Sequence, residues 1–287
     1  MSAEADLSLL ARRWGATAVP FGLVNAQDWL DTPAAQAART ALSHTAALRS
    51  VLLLSGPNGV GKSALAGRWL RQLDPRLFCP LCLTQATLSG TGILTAVATR
   101  LGKPLSFRRE RTLQFLEEAF AELDRRIPVL LLDEAQNLGS ASLEEVRLLL
   151  GLNLPEQPAF ALILIGDEYL LNTLKLRHQR ALYSRLAGHV SLPVWTPAQC
   201  TQYLLQGLSA VGLSPGALEP AASDLLASAS GGVPRSLCLL ARAAWIAAAT
   251  QVAQRITPAH VQAALQAVPC VPGLLPPANP SPADAHV

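Results

Sequence analysis

The stretch VLLLSGPNGVGKSALAGRWL, from Val51 to Leu70, constrains the fold more than any other part of the chain. Its first residues read as a short apolar strand, and those from Lys62 onward read as a helix. Between them stand Gly56, Gly59 and Gly61, a residue type that weakens either element. The spacing is G-x-x-x-x-G-K-[ST], in the order strand, loop, helix. Glycines let the backbone curl until several N–H groups converge, and they leave no side chain to keep phosphate oxygens away. The helix start adds its positive dipole end. The expected nucleotide cradle is therefore Gly56, Pro57, Asn58, Gly59, Val60, Gly61, Lys62, Ser63 and Ala64. Lys62 should reach the β- and γ-phosphates of ATP, and the Ser63 hydroxyl should ligate Mg²⁺.

A second signal is VLLLDEAQNL at 129–138. An apolar run that ends in Asp133 presents a carboxylate where a parallel strand stops beside the loop. Asp133 is expected to hold Mg²⁺, directly or through water. Glu134 is expected to act as general base on the attacking water. Two adjacent acidic residues point to hydrolysis rather than to phosphoryl transfer onto a small molecule.

Around these motifs the chain alternates. Strands are predicted at 51–55, 78–84, 129–133, 161–166 and 190–194. Helices are predicted at 36–48, 62–73, 91–102, 112–125, 142–150 and 169–175. Such alternation implies an α/β fold, a mostly parallel sheet covered on both faces. After residue 195 the strand signals stop, and TPAQC and TPAHV each place Thr at a helix N-cap with Pro after it. The expected organisation is an irregular lead-in at 1–35, a nucleotide-binding domain at 36–195, a small all-helical lid at 196–268 and a proline-rich disordered tail at 269–287. With half of its 287 residues apolar and 15% charged, the chain is too core-rich to be disordered throughout.

The remaining composition mostly excludes. A net charge of +3 permits a local basic strip but does not require nucleic acid. The five cysteines, Cys79, Cys82, Cys200, Cys238 and Cys270, are odd in number and scattered, which suits reduced thiols. The lone CPLC at 79–82 has no second ligand pair, so no zinc site is expected. The five histidines form no constellation. The most apolar stretch, SLCLLARAAWIAAATQVA, carries Arg242 near its middle, and a charge there disfavours a membrane span. MSAEADLSLLARRWG has an acidic start and no apolar core of signal length, so a cytoplasmic chain is expected.

With these motifs in order, the chain over about residues 14–268 resembles the AAA+ ATPases, within them the ExeA-like and TnsC/TniB-like group. GPNGVGKS resembles the Walker A of that group and VLLLDEAQNL its Walker B. LILIGDEYL at 162–170 resembles the segment after the fourth strand, with Asp167 at the sensor-1 position. There the family usually carries a neutral polar residue. A carboxylate there implies either that Asp167 points away from the nucleotide or that turnover is slow. The segment LYSRLAGHVSLPVWTPAQC resembles the arginine-finger region. The resemblance implies that Arg185 reaches a neighbouring subunit's γ-phosphate, with Arg180 as competitor. SGGVPRSLCLL resembles the sensor-2 motif, which implies that Arg235 couples nucleotide to the lid. Trp14, Gly15, Pro20 and Phe21 resemble the lead-in that lies near adenine in this family.

Secretion members join the ATPase to a membrane span and a wall-binding domain, neither of which is legible here. The resemblance therefore implies the transposition-associated members, which assemble as homo-oligomeric rings or helical filaments on duplex DNA and recruit a transposase. The expected DNA strip is TRLGKPLSFRRERT at 99–112, with Arg100, Lys103, Arg108, Arg109 and Arg111. The alternatives are secretion-system assembly, helicase loading or replication initiation, and a filament in which ATP is only a structural ligand.

Overall fold

The computed structural model describes residues 3–22, 29–84, 92–104, 106, 108–123, 125–152 and 158–268. The expected tail at 269–287 lies outside them. The chain divides into two units, Pro33–Pro193 and, together, Met1–Thr32 and Val194–Val287.

The unit Pro33–Pro193 begins with helix α2 (Pro33–Leu48), which follows α1 (Ala3–Arg13) of the other unit. Then come β1 (Val51–Ser55), α3 (Lys62–Gln72), β2 (Phe78–Leu83), α4 (Ile93–Arg100), α5 (Arg109–Glu122) and β3 (Ile127–Leu132). α6 (Ser140–Leu149), β4 (Ala161–Ile165), α7 (Leu170–Lys175), α8 (Arg180–Tyr183) and β5 (Leu186–Ser191) complete it. The sheet order is β2-β3-β4-β1-β5, with every pairing parallel. β1 and β4 are buried along their whole length, as expected for strands covered on both faces. One face packs Leu53, Leu83, Leu132 and Leu164 into a core with α4, α5 and α6. On the sheet's other side α2 meets β1, β4, β5 and α3, burying Ala38, Leu42 and Ala46. Each fully buried leucine contributes roughly 1.5–3 kcal/mol. The expected α/β sandwich is therefore observed.

Most predicted boundaries move by one to three residues, and two readings differ by more. The fifth strand lies at Leu186–Ser191 rather than 190–194. Its register is set by pairing, Leu186 opposite Val51 and Ser191 opposite Ser55, and Pro193, which has no N–H, closes the ladder. At the chain start, Ala3–Arg13 is a helix rather than an irregular lead-in. Leu7, Leu10, Ala11 and Trp14 fall at one helical face, and Leu10, Ala11 and Trp14 pack against or within the helical unit's core.

That unit consists of α1 with α9 (Pro197–Ala210), α10 (Pro220–Ala229), α11 (Pro234–Thr250) and α12 (Pro258–Ala267). The expected caps are present: Thr196 Oγ1 accepts from Gln199 N at 3.3 Å, and Pro197 opens the helix. Trp245 is fully buried on α11 and meets Trp14 edge to face at 6.2 Å. Phe21 is also buried, with a left-handed backbone at φ 58. Arg242 donates to its carbonyl from Nη2 at 2.9 Å and from Nε at 3.2 Å. The charge that argued against a membrane span thus fastens the lead-in to the helices. Among the described residues no helix is long and apolar enough to cross a membrane.

Trp245→Ala should lower the stability of the helical unit by about 3–5 kcal/mol, read by denaturant unfolding followed by circular dichroism. A loss below about 1 kcal/mol would contradict the packing.

Candidate nucleotide site

In a parallel sheet every strand delivers its C-terminal end to the same edge. Here that edge collects the loop after β1, the Asp133–Glu134 pair after β3 and Gly166–Asp167 after β4.

The loop has the conformation that its glycines permit. Gly56, Gly59 and Gly61 have φ of 147°, 86° and 98°. At Gly56 a Cβ would stand 2.3 Å from the Leu192 carbonyl oxygen, so the position also lacks space. At Gly61 a Cβ would meet nothing within 4 Å, which leaves that side open for a ligand. Gly61, the N-cap of α3, makes no side-chain cap hydrogen bond. Lys62 is buried, and its Nζ donates to Gly56 O at 2.7 Å and Pro57 O at 3.0 Å. Helix N–H groups around an ammonium that the loop itself holds form a setting that fits phosphate oxygens.

Beside the loop, Ser63 Oγ donates to Asp133 Oδ1 at 3.0 Å, across 70 residues of sequence. The same Oδ1 accepts the Glu134 N–H at 3.0 Å, and Asp133 N continues the sheet ladder to Leu83 O at 3.0 Å. A hydroxyl and a carboxylate are the hard oxygen donors that Mg²⁺ prefers. No cluster of three or more His, Cys, Asp or Glu that could hold a metal occurs among the described residues. Such a sparse donor set fits an ion that takes most of its ligands from phosphate and water. The Asp133 charge also acts on Cys82 of β2: burial first, then Asp133, pushes the thiol up, while Arg100 opposes. Cys79 and Cys82 are three apart on a strand, so they face opposite sides of the sheet.

Glu134 is exposed and its backbone is left-handed, φ 54. Its Oε2 accepts from Gln136 Nε2 at 2.6 Å. Asp167, the residue out of pattern, is committed elsewhere: its Oδ1 accepts the N–H groups of Tyr169 and Leu170, both at 3.0 Å, at the start of α7. Arg185 Nη1 donates to the Arg147 carbonyl at 2.9 Å, a cation at the last turn of α6. The Arg147 guanidinium pairs with Glu144, and that hydrogen bond holds the Glu144 carboxyl below its usual range. Arg180 is exposed, and its side chain has no hydrogen bond or ion pair among the described residues. Arg235 is exposed in the first turn of α11, in the helical unit.

The expected DNA strip is less uniform than its sequence. Lys103 is held by Glu122 at 2.6 Å, with Glu118 at 3.9 Å, and only 14% of its side chain is exposed. Arg109 lines a cavity with Glu144 and Glu145. Arg111 lies 5.4 Å over the Phe115 ring. Arg100, Arg108 and Arg111 are exposed. Gln136 is the residue that motif reading passed over, although it stands within the quoted VLLLDEAQNL.

Ser63→Ala should weaken ATP binding at least about tenfold in the presence of Mg²⁺ and by less than about twofold with EDTA. Equilibrium titration of a fluorescent ATP analogue checks this. Equal losses under both conditions would remove Ser63 from the metal.

Residues 46–174 match the AAA domain family. The chain is 28% identical over 211 residues to general secretion pathway protein A of Aeromonas hydrophila, which spans 71% of this chain but 38% of that protein. Among solved structures, Cdc6p of Pyrobaculum aerophilum superposes with a TM-score of 0.65 at 19% identity, covering 90% of this chain and 71% of that one. The Aeropyrum pernix ORC1 protein, solved in complex with DNA, gives 0.64 at 22% identity, covering 84% and 67%. The RuvB Holliday junction branch migration motor of Thermotoga maritima gives 0.53 at 19%, covering 81% and 68%. Fold, matched domain and the convergence of loop and carboxylates agree: the chain has the AAA+ fold, and its residues 46–174 are a P-loop ATPase domain.

Proposed function

We propose that the chain is an ATP-driven switch that works on duplex DNA in the cytoplasm, and that its task is the regulation of transposition through a transposase. The loop N–H groups and Lys62 would bind the phosphates, and Ser63 and Asp133 would hold Mg²⁺, which would supply positive charge against the phosphate oxygens. Glu134 takes the proton of the attacking water. Arg235 answers to nucleotide from the helical unit. For the neighbouring subunit's site in a homo-oligomer, Arg180 is the arginine available to reach outward. Arg185 must first give up the Arg147 carbonyl.

The observation that carries the DNA reading is the set of exposed cations around the start of α5. Arg108 and Arg111 stand there without an ion pair among the described residues, with Arg100 at the end of α4. Lys103 is removed from the set by its carboxylate partners. The similarity in fold to an ORC1 protein bound to DNA and to a branch migration motor supports this reading. A second reading, assembly of a secretion apparatus, is favoured by the relative from Aeromonas hydrophila. Replication initiation shares the DNA-dependent behaviour and differs in needing no transposase.

Duplex DNA should raise ATP turnover, and the paired change Arg108→Ala with Arg111→Ala should weaken DNA binding and reduce its salt slope by about 2. Lys103→Ala should leave DNA affinity within about twofold. Turnover indifferent to DNA at low salt would favour the secretion reading.

A further inference from the structure

Gln136 sits in the short turn Ala135–Asn137 and is half-buried, between two strand ends. Its amide is used on both sides. Nε2 donates to Glu134 Oε2 at 2.6 Å, and Oε1 accepts the Asp167 N–H at 3.3 Å. Only one orientation of the amide satisfies both partners, because a carboxylate only accepts and a backbone N–H only donates. Glycine at 166 makes the approach possible: a Cβ there would stand 3.0 Å from Gln136 Oε1 and 2.4 Å from Leu170 Cδ2. The far side is fixed as well. Asp167 is held to the first N–H groups of α7, so the amide joins the Glu134 carboxylate to the start of that helix.

We propose that Gln136 is the positioning residue for Glu134, setting the direction of its carboxylate from the end of β4. The inference rests on the reading of Glu134 as general base. An exposed carboxylate on a flexible side chain samples many directions, and a water aligned for attack tolerates few. A single amide anchored to the sheet removes that freedom. It also carries any shift at the β4–α7 turn, which borders the segment bearing Arg180, to the carboxylate.

The test uses the full chain with Gln136→Ala, Gln136→Glu, Glu134→Gln and Glu134→Ala. Gln136→Glu keeps an oxygen toward the Asp167 N–H but replaces the donor to Glu134 with a repelling carboxylate. Both Gln136 variants should lower kcat by about 10–100-fold, while KM and ATP affinity stay within about twofold. In the nucleotide-free protein, Glu134→Ala should move the Gln136 side-chain amide resonances toward those of a free glutamine. Parent-like kcat in Gln136→Glu beside an inactive Glu134→Gln overturns this inference alone. Glu134→Gln at parent kcat overturns the general-base reading and this inference together. Unmoved amide resonances in Glu134→Ala overturn the hydrogen bond on which the inference stands.

Discussion

The parallel order of the sheet is the constraint on which the rest depends. Because β1, β3 and β4 run the same way, their C-terminal ends meet at one edge. A loop that begins at Gly56, a carboxylate at 133 and a turn at 166–167 can then act on one ligand without any of them being near in sequence. The Ser63–Asp133 hydrogen bond marks that convergence, and Gln136 repeats it one strand further along. An antiparallel exchange at any of these strands would send one participant to the opposite edge.

Electrostatics at that edge divide sharply between groups held ready and groups already used. Lys62 is buried under loop carbonyls, where a charge pays a desolvation cost and an incoming polyphosphate offsets it. Asp167 and Arg185, which the family resemblance placed in catalytic positions, are bound to helix ends in this chain. Asp167 spends its charge on the start of α7, so its departure from the family pattern has a structural use. The same distinction separates Lys103, paired with carboxylates, from Arg108 and Arg111, which stand exposed.

Much of this was legible in the sequence because buried parallel strands are unbroken apolar runs and the phosphate loop is punctuated by glycine. β1, β3 and β4 carry that signal strongly. β5 does not, since Ala187, Gly188 and His189 are poor strand formers whose pairing is imposed by β1. α1 was legible in principle from Leu7, Leu10, Ala11 and Trp14, but the turn residues that follow it drew the reading toward an irregular segment. The roles of Gln136 and Arg242 were not legible. Each depends on a partner whose position only the tertiary fold determines: Asp167 in one case, the Phe21 carbonyl in the other.

The central claim is that main-chain amides and the buried Lys62 ammonium grip a triphosphate at the end of β1. Equilibrium binding of Mg-ATP to the parent and to Lys62→Ala tests it most directly, with circular dichroism confirming that both are folded. The account predicts an affinity loss of about 100-fold or more, the scale of charge-assisted contacts to phosphate. An unchanged dissociation constant in the folded variant would contradict it.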